Sequence, residues 1–231
     1  MENLLKQRKI CSFVRRNGRI TKSQQQALDS LSTDYVLSCE PDTLLDLEPI
    51  FGREAEKHLE IGFGAGDALI SMAKMHPERD YIGIEVYLAG IGQVLSQIEQ
   101  YHLTNIRLLN ADAVQILTHH IAPNSLDCVY IFFPDPWHKK RHYKRRLIQA
   151  EFLNLITHKI KPNSFIRLAT DWENYAQQML KVLDEYEGLN NVSGIQQFAP
   201  RFEERPLTKF ERRGQRLGHG VWDLFYQKID C

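Results

Sequence analysis

No stretch limits the possible folds more than residues 58–100, HLEIGFGAGDALISMAKMHPERDYIGIEVYLAGIGQVLSQIEQ. His58–Ile61 reads as the end of a strand, Gly62–Gly66 as a tight turn and Asp67–Met75 as a helix. Asp80–Glu85 then reads as a second strand and Leu88–Tyr101 as a second helix. A βαβα unit of this kind sets its strands in parallel, because a helix must carry the chain back to the same end of the sheet. The alternation continues with a third strand at Asn105–Asp112, a helix from about Ala113 that is broken by Pro123-Asn124-Ser125, and an apolar fourth strand at Leu126–Phe133. Leu147–Ile160 reads as a helix, Lys161-Pro162-Asn163-Ser164 as a turn into a fifth strand at Phe165–Ala169, and Glu173–Leu183 as a further helix. Residues 191–199 and 220–229 alternate as two closing strands, with a short helix expected at 208–216. Before all this, residues 42–50 read as a loop and a short helix leading into the domain.

A chain of 231 residues with 43% hydrophobic content buries a sizeable core and suits one domain. Its longest apolar runs are too short to span a bilayer, and the opening MENLLKQRK lacks the hydrophobic region of a secretory signal, so a soluble, cytoplasmic protein is expected, with no membrane partner. Cys11, Cys39, Cys128 and Cys231 show no CxxC spacing, which gives a metal or disulfide framework no support and makes Cys128 a core thiol.

The formal net charge of zero hides a sorting of charge along the chain. Residues 1–22 hold seven Lys/Arg against one acid, 23–135 hold five against seventeen, and 136–146 hold six against none. Runs of charge are usually solvated faces; sorting this strong favours a cationic nucleic-acid surface beside an acidic pocket. Residues 1–35, with little apolar periodicity before Leu28, read as a basic, mobile N-terminal arm that can order on a phosphate backbone, followed by one domain at 36–231.

Glycines at 62, 64 and 66 let backbone approach a ligand closely, and Glu85 at the second strand's tip can bind a ribose diol. A dinucleotide fingerprint needs a third glycine where this chain has Asp67, beside a pyrophosphate that Glu60 and Asp67 would repel. S-adenosylmethionine carries an ammonium and a sulfonium in place of phosphates, so acids near the turn suit it. Asp112 can accept a bond from the adenine amino group or cap the helix that follows; both readings stand.

The stretch VYIFFPDPWHKKRHYKRR, 129–146, ends a buried strand at Pro134 and delivers Asp135 to the sheet rim beside six Lys/Arg in the eight positions from Lys139 to Arg146. That rim is where ligands of open α/β sheets bind, and the cations suit phosphates. Trp137 can stack on a base or merely pack. His138 and His142 stand four apart, but the cations around them argue against a metal. Asp171, at the end of the fifth strand, is a substrate contact or a helix cap.

Glu60-Ile61-Gly62-Phe63-Gly64-Ala65-Gly66, Gly83-Ile84-Glu85-Val86, Asn110-Ala111-Asp112 and Phe133-Pro134-Asp135-Pro136-Trp137 together resemble the tRNA (guanine-N7-)-methyltransferase family. The likeness continues through KKRHYKRRL, Ala169-Thr170-Asp171-Trp172-Glu173 and RPLTKFERRGQRLGHGVWDL, covering the chain from about residue 10 onward. It implies an α/β, Rossmann-like class I methyltransferase fold, with a mostly parallel seven-stranded sheet and helices on both faces. It also implies S-adenosyl-L-methionine as cofactor and a guanosine of the tRNA variable loop as target. By matching position, Glu60, Gly62, Gly64, Gly66, Glu85, Asp112 and Asp135 contact the cofactor, and Asp135 is also catalytic. Lys139, Asp171, Thr208, Lys209, Phe210 and Glu211 contact substrate, and Arg141, His142, Tyr143, Lys144, Arg145 and Arg146 meet the RNA. Monomer and homodimer both remain open.

Two rivals are discriminated by binding. A nicotinamide-dependent dehydrogenase would bind NAD and ignore S-adenosylmethionine; a tRNA-binding module with a vestigial pocket would bind neither.

Overall fold

The computed structural model describes residues 12–13, 19–41, 43–207, 211 and 220–230. Seven strands, β1 (Lys57–Ile61), β2 (Asp80–Ile84), β3 (Ile106–Leu109), β4 (Leu126–Phe132), β5 (Ile160–Thr170), β6 (Leu189–Asn191) and β7 (Trp222–Lys228), form one sheet in the order β3-β2-β1-β4-β5-β7-β6. β1 to β5 pair in parallel, and β7 lies antiparallel between β5 and β6. Helices α1 (Lys22–Tyr35), α3 (Asp67–Met75) and α4 (Leu88–Tyr101) pack on one face; α2 (Leu47–Phe51), α5 (Ala113–His119), α6 (Ala150–Lys159) and α7 (Glu173–Asp184) pack on the other. Along β4, Val129 and Ile131 belong to the second core, while Cys128, Tyr130 and Phe132 belong to the first. A strand buried on both faces needs apolar residues at every position, which is why β4 reads as an unbroken run.

Strand order reverses between β1 and β4, and their carboxyl ends open the crevice where such sheets bind ligands. The glycine turn follows β1, and Asp135 follows β4.

Three expectations need correction. Residues 22–35, assigned to the arm, form a helix: Thr21 and Gln24 make a reciprocal capping box, and Ala27 and Leu28 are buried beside α4. The approach is close, since a Cβ on Gly92 would come within 2.9 Å of Gln24 O. Residues 161–164 do not end one element and start another. They form a bulge within β5, with Leu126 paired to Ile160, Cys128 to Phe165, and Asn163 at φ 62°. The closing strand expected at 191–199 is only Leu189–Asn191, because Gly194 (φ 100°) and Gln196 (φ 60°) turn the chain out of extended conformation. Of the helix expected at 208–216, all but Glu211 lies outside the described residues.

Candidate active site

Backbone freedom shapes the floor of the crevice. Gly62 (φ 74°) and Gly64 (φ 58°) adopt left-handed conformations, and a Cβ on either would meet nothing within 4 Å, so the turn leaves open room above it. Gly66 serves packing instead: its Cβ would overlap Val94 Cγ2 at 2.1 Å. Glu85, only 5% exposed, ties the second strand's tip to this turn. Its Oε2 accepts the Gly64 N–H at 2.8 Å, and its Oε1 accepts the Val86 and Tyr87 N–H groups at 2.7 and 3.0 Å. Asp112 caps α5 by accepting the Val114 N–H at 3.0 Å, and it also lines the crevice.

Glu60 sits deeper, 3% exposed on β1, and its Oε2 has no hydrogen-bond partner among the described residues. Burial, reinforced by the Glu85 and Asp67 carboxylates, pushes its pKa up to about 8. The cleft itself, about 340 Å³, is lined by Gly62, Gly64, Glu85, Tyr87, Asp112 and Asp135, with Ser12, Phe13, Phe133 and Leu147 completing its walls. Glu60 is not among the lining residues. A second cavity of about 440 Å³ adjoins it, lined by Tyr87, Asp135, Trp137, His138, Lys139, Arg141 and His142. Asp135 and Tyr87 line both. The chain leaves β4 abruptly, with Phe133 (φ 52°) and Trp137 (φ 46°) both left-handed around the Pro-Asp-Pro sequence. Such conformations are sparsely populated outside glycine and cluster at functional sites.

The cationic run divides by burial. Lys139, Lys140, Arg141 and Lys144 are exposed around a 3₁₀ turn at Lys140–Arg145. Arg145 lies over the Trp137 ring at 3.9 Å, the His142 ring stacks on the same indole at 5.7 Å, and the indole N–H donates to Ser12 O at 2.9 Å. Trp137 is thus packed within the chain while also lining the second cavity. Desolvation, followed by repulsion from Arg141, Arg145, Lys139 and Lys144, lowers the His142 pKa. Arg146 departs from its expected role as an RNA contact. It is 2% exposed, donates to Pro136 O, Gln178 Oε1 and Asn174 Oδ1, and lies over the Tyr143 ring at 3.6 Å. Tyr143 is half-buried beneath it.

Asp171 ends up on the same sheet edge, just past β5, and does not cap α7, whose cap residue is Trp172. Glu211, expected to face substrate, is 1% exposed, and its Oε1 lies 2.5 Å from an Arg205 Nη; Arg205 is itself fully buried and paired to Asp223 at 2.8 Å. Thr208, Lys209 and Phe210 lie outside the described residues. Sequence reasoning missed Tyr87, Ser12 and Phe13. Tyr87 alone carried a usable signal, an aromatic residue two positions after Glu85.

The donor set fits S-adenosyl-L-methionine. Among the described residues lining the cleft are three carboxylates and no Lys or Arg, the setting a sulfonium and an ammonium require and a pyrophosphate does not. The open positions at Gly62 and Gly64 leave room for an aminoacyl chain, and the volume lies in the range of small-molecule sites.

Known proteins agree with this geometry. Residues 54–224 match a family model described as "Putative methyltransferase". The fold resembles the crystal structure of the 16S rRNA methyltransferase KamB, with a TM-score of 0.60, 15% identity, and coverage of 81% of this chain and 95% of that one. The tRNA (guanine-N(7)-)-methyltransferase of Hydrogenovibrio crunogenus is 50% identical over 222 residues, 96% of this chain and 92% of that protein. The same-named protein of Alkalilimnicola ehrlichii is 52% identical over 222 residues, 96% and 93% of the two chains. With half its residues shared across nearly its full length, and with a cation-accepting cleft opening beside Asp135, this chain belongs to the tRNA (guanine-N7-)-methyltransferase family.

Proposed function

We propose that this protein methylates N7 of guanosine 46 in the tRNA variable loop, yielding 7-methylguanosine and S-adenosylhomocysteine. The observation that carries this reading is the junction at Asp135: one side borders an acidic cleft suited to the cofactor, the other a cavity rimmed by Lys139 and Arg141. When bound, S-adenosyl-L-methionine supplies an electrophilic methyl group. Guanine N7 already offers a lone pair, so no residue has to remove a proton before attack. The demand on the protein is placement, an effect that reaches about 7–11 kcal/mol in favourable cases.

Glu85 and Asp112 hold the adenosine half, and the open glycine turn admits the aminoacyl half. Asp135 accepts the N1–H and N2–H₂ edge of the guanine, orients N7 toward the cleft and favours the positive charge that the purine gains. Lys139, Lys140, Arg141, Lys144 and Arg145 hold phosphates, fixing the tRNA without reading its sequence. A base folded into tRNA must be extruded to reach the pocket, which costs a few kcal/mol that these phosphate contacts offset.

The test is incubation with labelled S-adenosyl-L-methionine and unmodified tRNA, followed by chemical cleavage at 7-methylguanosine. Label confined to position 46 supports the proposal. Label in another nucleoside, or in none, defeats it.

A further inference from the structure

Tyr87 and Asp135 are the two residues that border both the cofactor cleft and the neighbouring cavity, so a methyl group crossing from one to the other passes beside them. Tyr87 is held firmly by its backbone. Its N–H donates to Glu85 Oε1 at 3.0 Å, and its carbonyl accepts the Gly90 and Ile91 N–H groups at 2.9 and 3.3 Å, opening α4. That helix is in turn pressed against the glycine turn, since a Cβ on Gly90 would lie 2.4 Å from Gly64 O. Tyr87 therefore keeps a set distance from both the turn and the second strand's tip, the support a reacting site needs.

The charge that crosses this boundary has a definite course. As the purine accepts the methyl, its N7 lone pair becomes the new C–N bond and the electron pair of the broken C–S bond stays on sulfur. No proton moves, and the positive charge ends on the five-membered ring of the base. A cation is drawn to the face of an aromatic ring. We propose that the Tyr87 ring packs on the target guanine and stabilises the purine cation that methylation creates, a catalytic residue acting on the face of the base while Asp135 acts on its edge. This assignment rests on the function proposed above. An apolar wall would hold neutral and methylated guanine alike; a π-face favours the charged form and with it the transition state that resembles it.

Two readouts on the full chain test this, using Tyr87→Leu, Tyr87→Phe and phenylalanines of increasing fluorination at position 87. In the first, the protein without cofactor is titrated with 7-methylguanosine and with guanosine at mildly acidic pH, where the methylated base keeps its N1 proton and its charge. The unaltered protein should prefer the methylated nucleoside by about 2- to 30-fold. Tyr87→Phe should keep that preference, each added fluorine should reduce it, and Tyr87→Leu should cut it to the part that the Asp135 carboxylate supplies. In the second, single-turnover methylation of tRNA should fall in the same order. Equal affinity of the unaltered protein for the two nucleosides, or a preference that is undiminished in Tyr87→Leu, overturns the assignment. A ring-dependent preference in a protein that methylates no tRNA would instead sink the proposed function and leave the role of the ring standing.

Discussion

Glu85 Oε2 accepts the Gly64 N–H at 2.8 Å across an interval of 21 residues, so a carboxylate joins the backbone bond from Gly62 N–H to Ile84 O in holding the glycine turn against the second strand. The other oxygen takes two more N–H groups. An amide at this position would turn a donor toward at least one of those donors. Hydrogen bonds to a charged group contribute about 1.5–3 kcal/mol each. Glu85→Gln should therefore weaken cofactor binding by at least about tenfold and lower the melting temperature. Titration calorimetry showing unchanged affinity would remove Glu85 from this role.

Asp135 stands where the two cavities meet. Asp135→Asn keeps the shape but loses the charge, and the methylation rate at saturating substrates should drop by about 10²-fold, the scale seen when a preorganised electrostatic group is removed. Because Asp135 is proposed to orient and not to accept a proton, the residual rate should show no new pH dependence. Full activity in the variant would refute the assignment.

The cationic run should act in two separable ways. With Lys139, Lys140, Arg141, Lys144 and Arg145 meeting about five phosphates, the log of tRNA affinity should fall against log salt with a slope of roughly −3.5 to −4.5. Changing Lys144 to Met should flatten that slope by about one phosphate and leave stability alone. Arg146→Met should do the reverse, since its guanidinium is tied to Pro136, Gln178 and Asn174. Filter binding and urea unfolding separate the outcomes.

Glu60 makes stability depend on pH. Its carboxyl is raised from 4.5 to about 8 by burial and by Glu85 and Asp67. A raised acid holds its proton in the native state while the unfolded chain releases it. Stability is therefore greatest below the unfolded value and declines as pH climbs through about 8. Glu60→Gln should gain on the unaltered protein steadily across that window, and parallel pH curves would contradict this.

Arg205 is fully buried between Glu211 and Asp223 and lies 5.1 Å from the Phe133 ring centroid. Arg205→Met removes the buried cation that Glu211 and Asp223 share, leaving Arg201 at 3.6 Å from Glu211, and should destabilise the fold by about 3–5 kcal/mol. A change under 1 kcal/mol in chemical denaturation would show that the acids find other partners.

How far these features could be read in advance follows from what a sequence encodes locally. The bounds of α3 and α4 were legible because glycine punctuation and apolar spacing coincide there. The α1 helix was not read, since KSQQQALDSLSTDY presents few apolar positions; yet Thr21 and Gln24 spell a capping box that could have been noticed. The arrival of Glu85, Asp112 and Asp135 at one cleft was legible from their places after parallel strands, whereas the position of Glu60 behind that cleft was not. The fates of Arg146 and Glu211 were not, because both depend on residues far along the chain, Asn174 and Gln178 for one and Arg205 for the other. Charge composition says how many cations there are, and only tertiary contact says which ones face water.

The buried end of the cationic run has a consequence for variation. Arg146 braces the domain while its neighbours reach solvent, so grip and scaffold reside in adjacent letters of the same word. On the proposed function, exchanges of the exposed Lys139, Lys140, Arg141 and Lys144 retune how hard the protein holds its polyanion without threatening the fold. A single exchange two positions further on strikes the architecture itself.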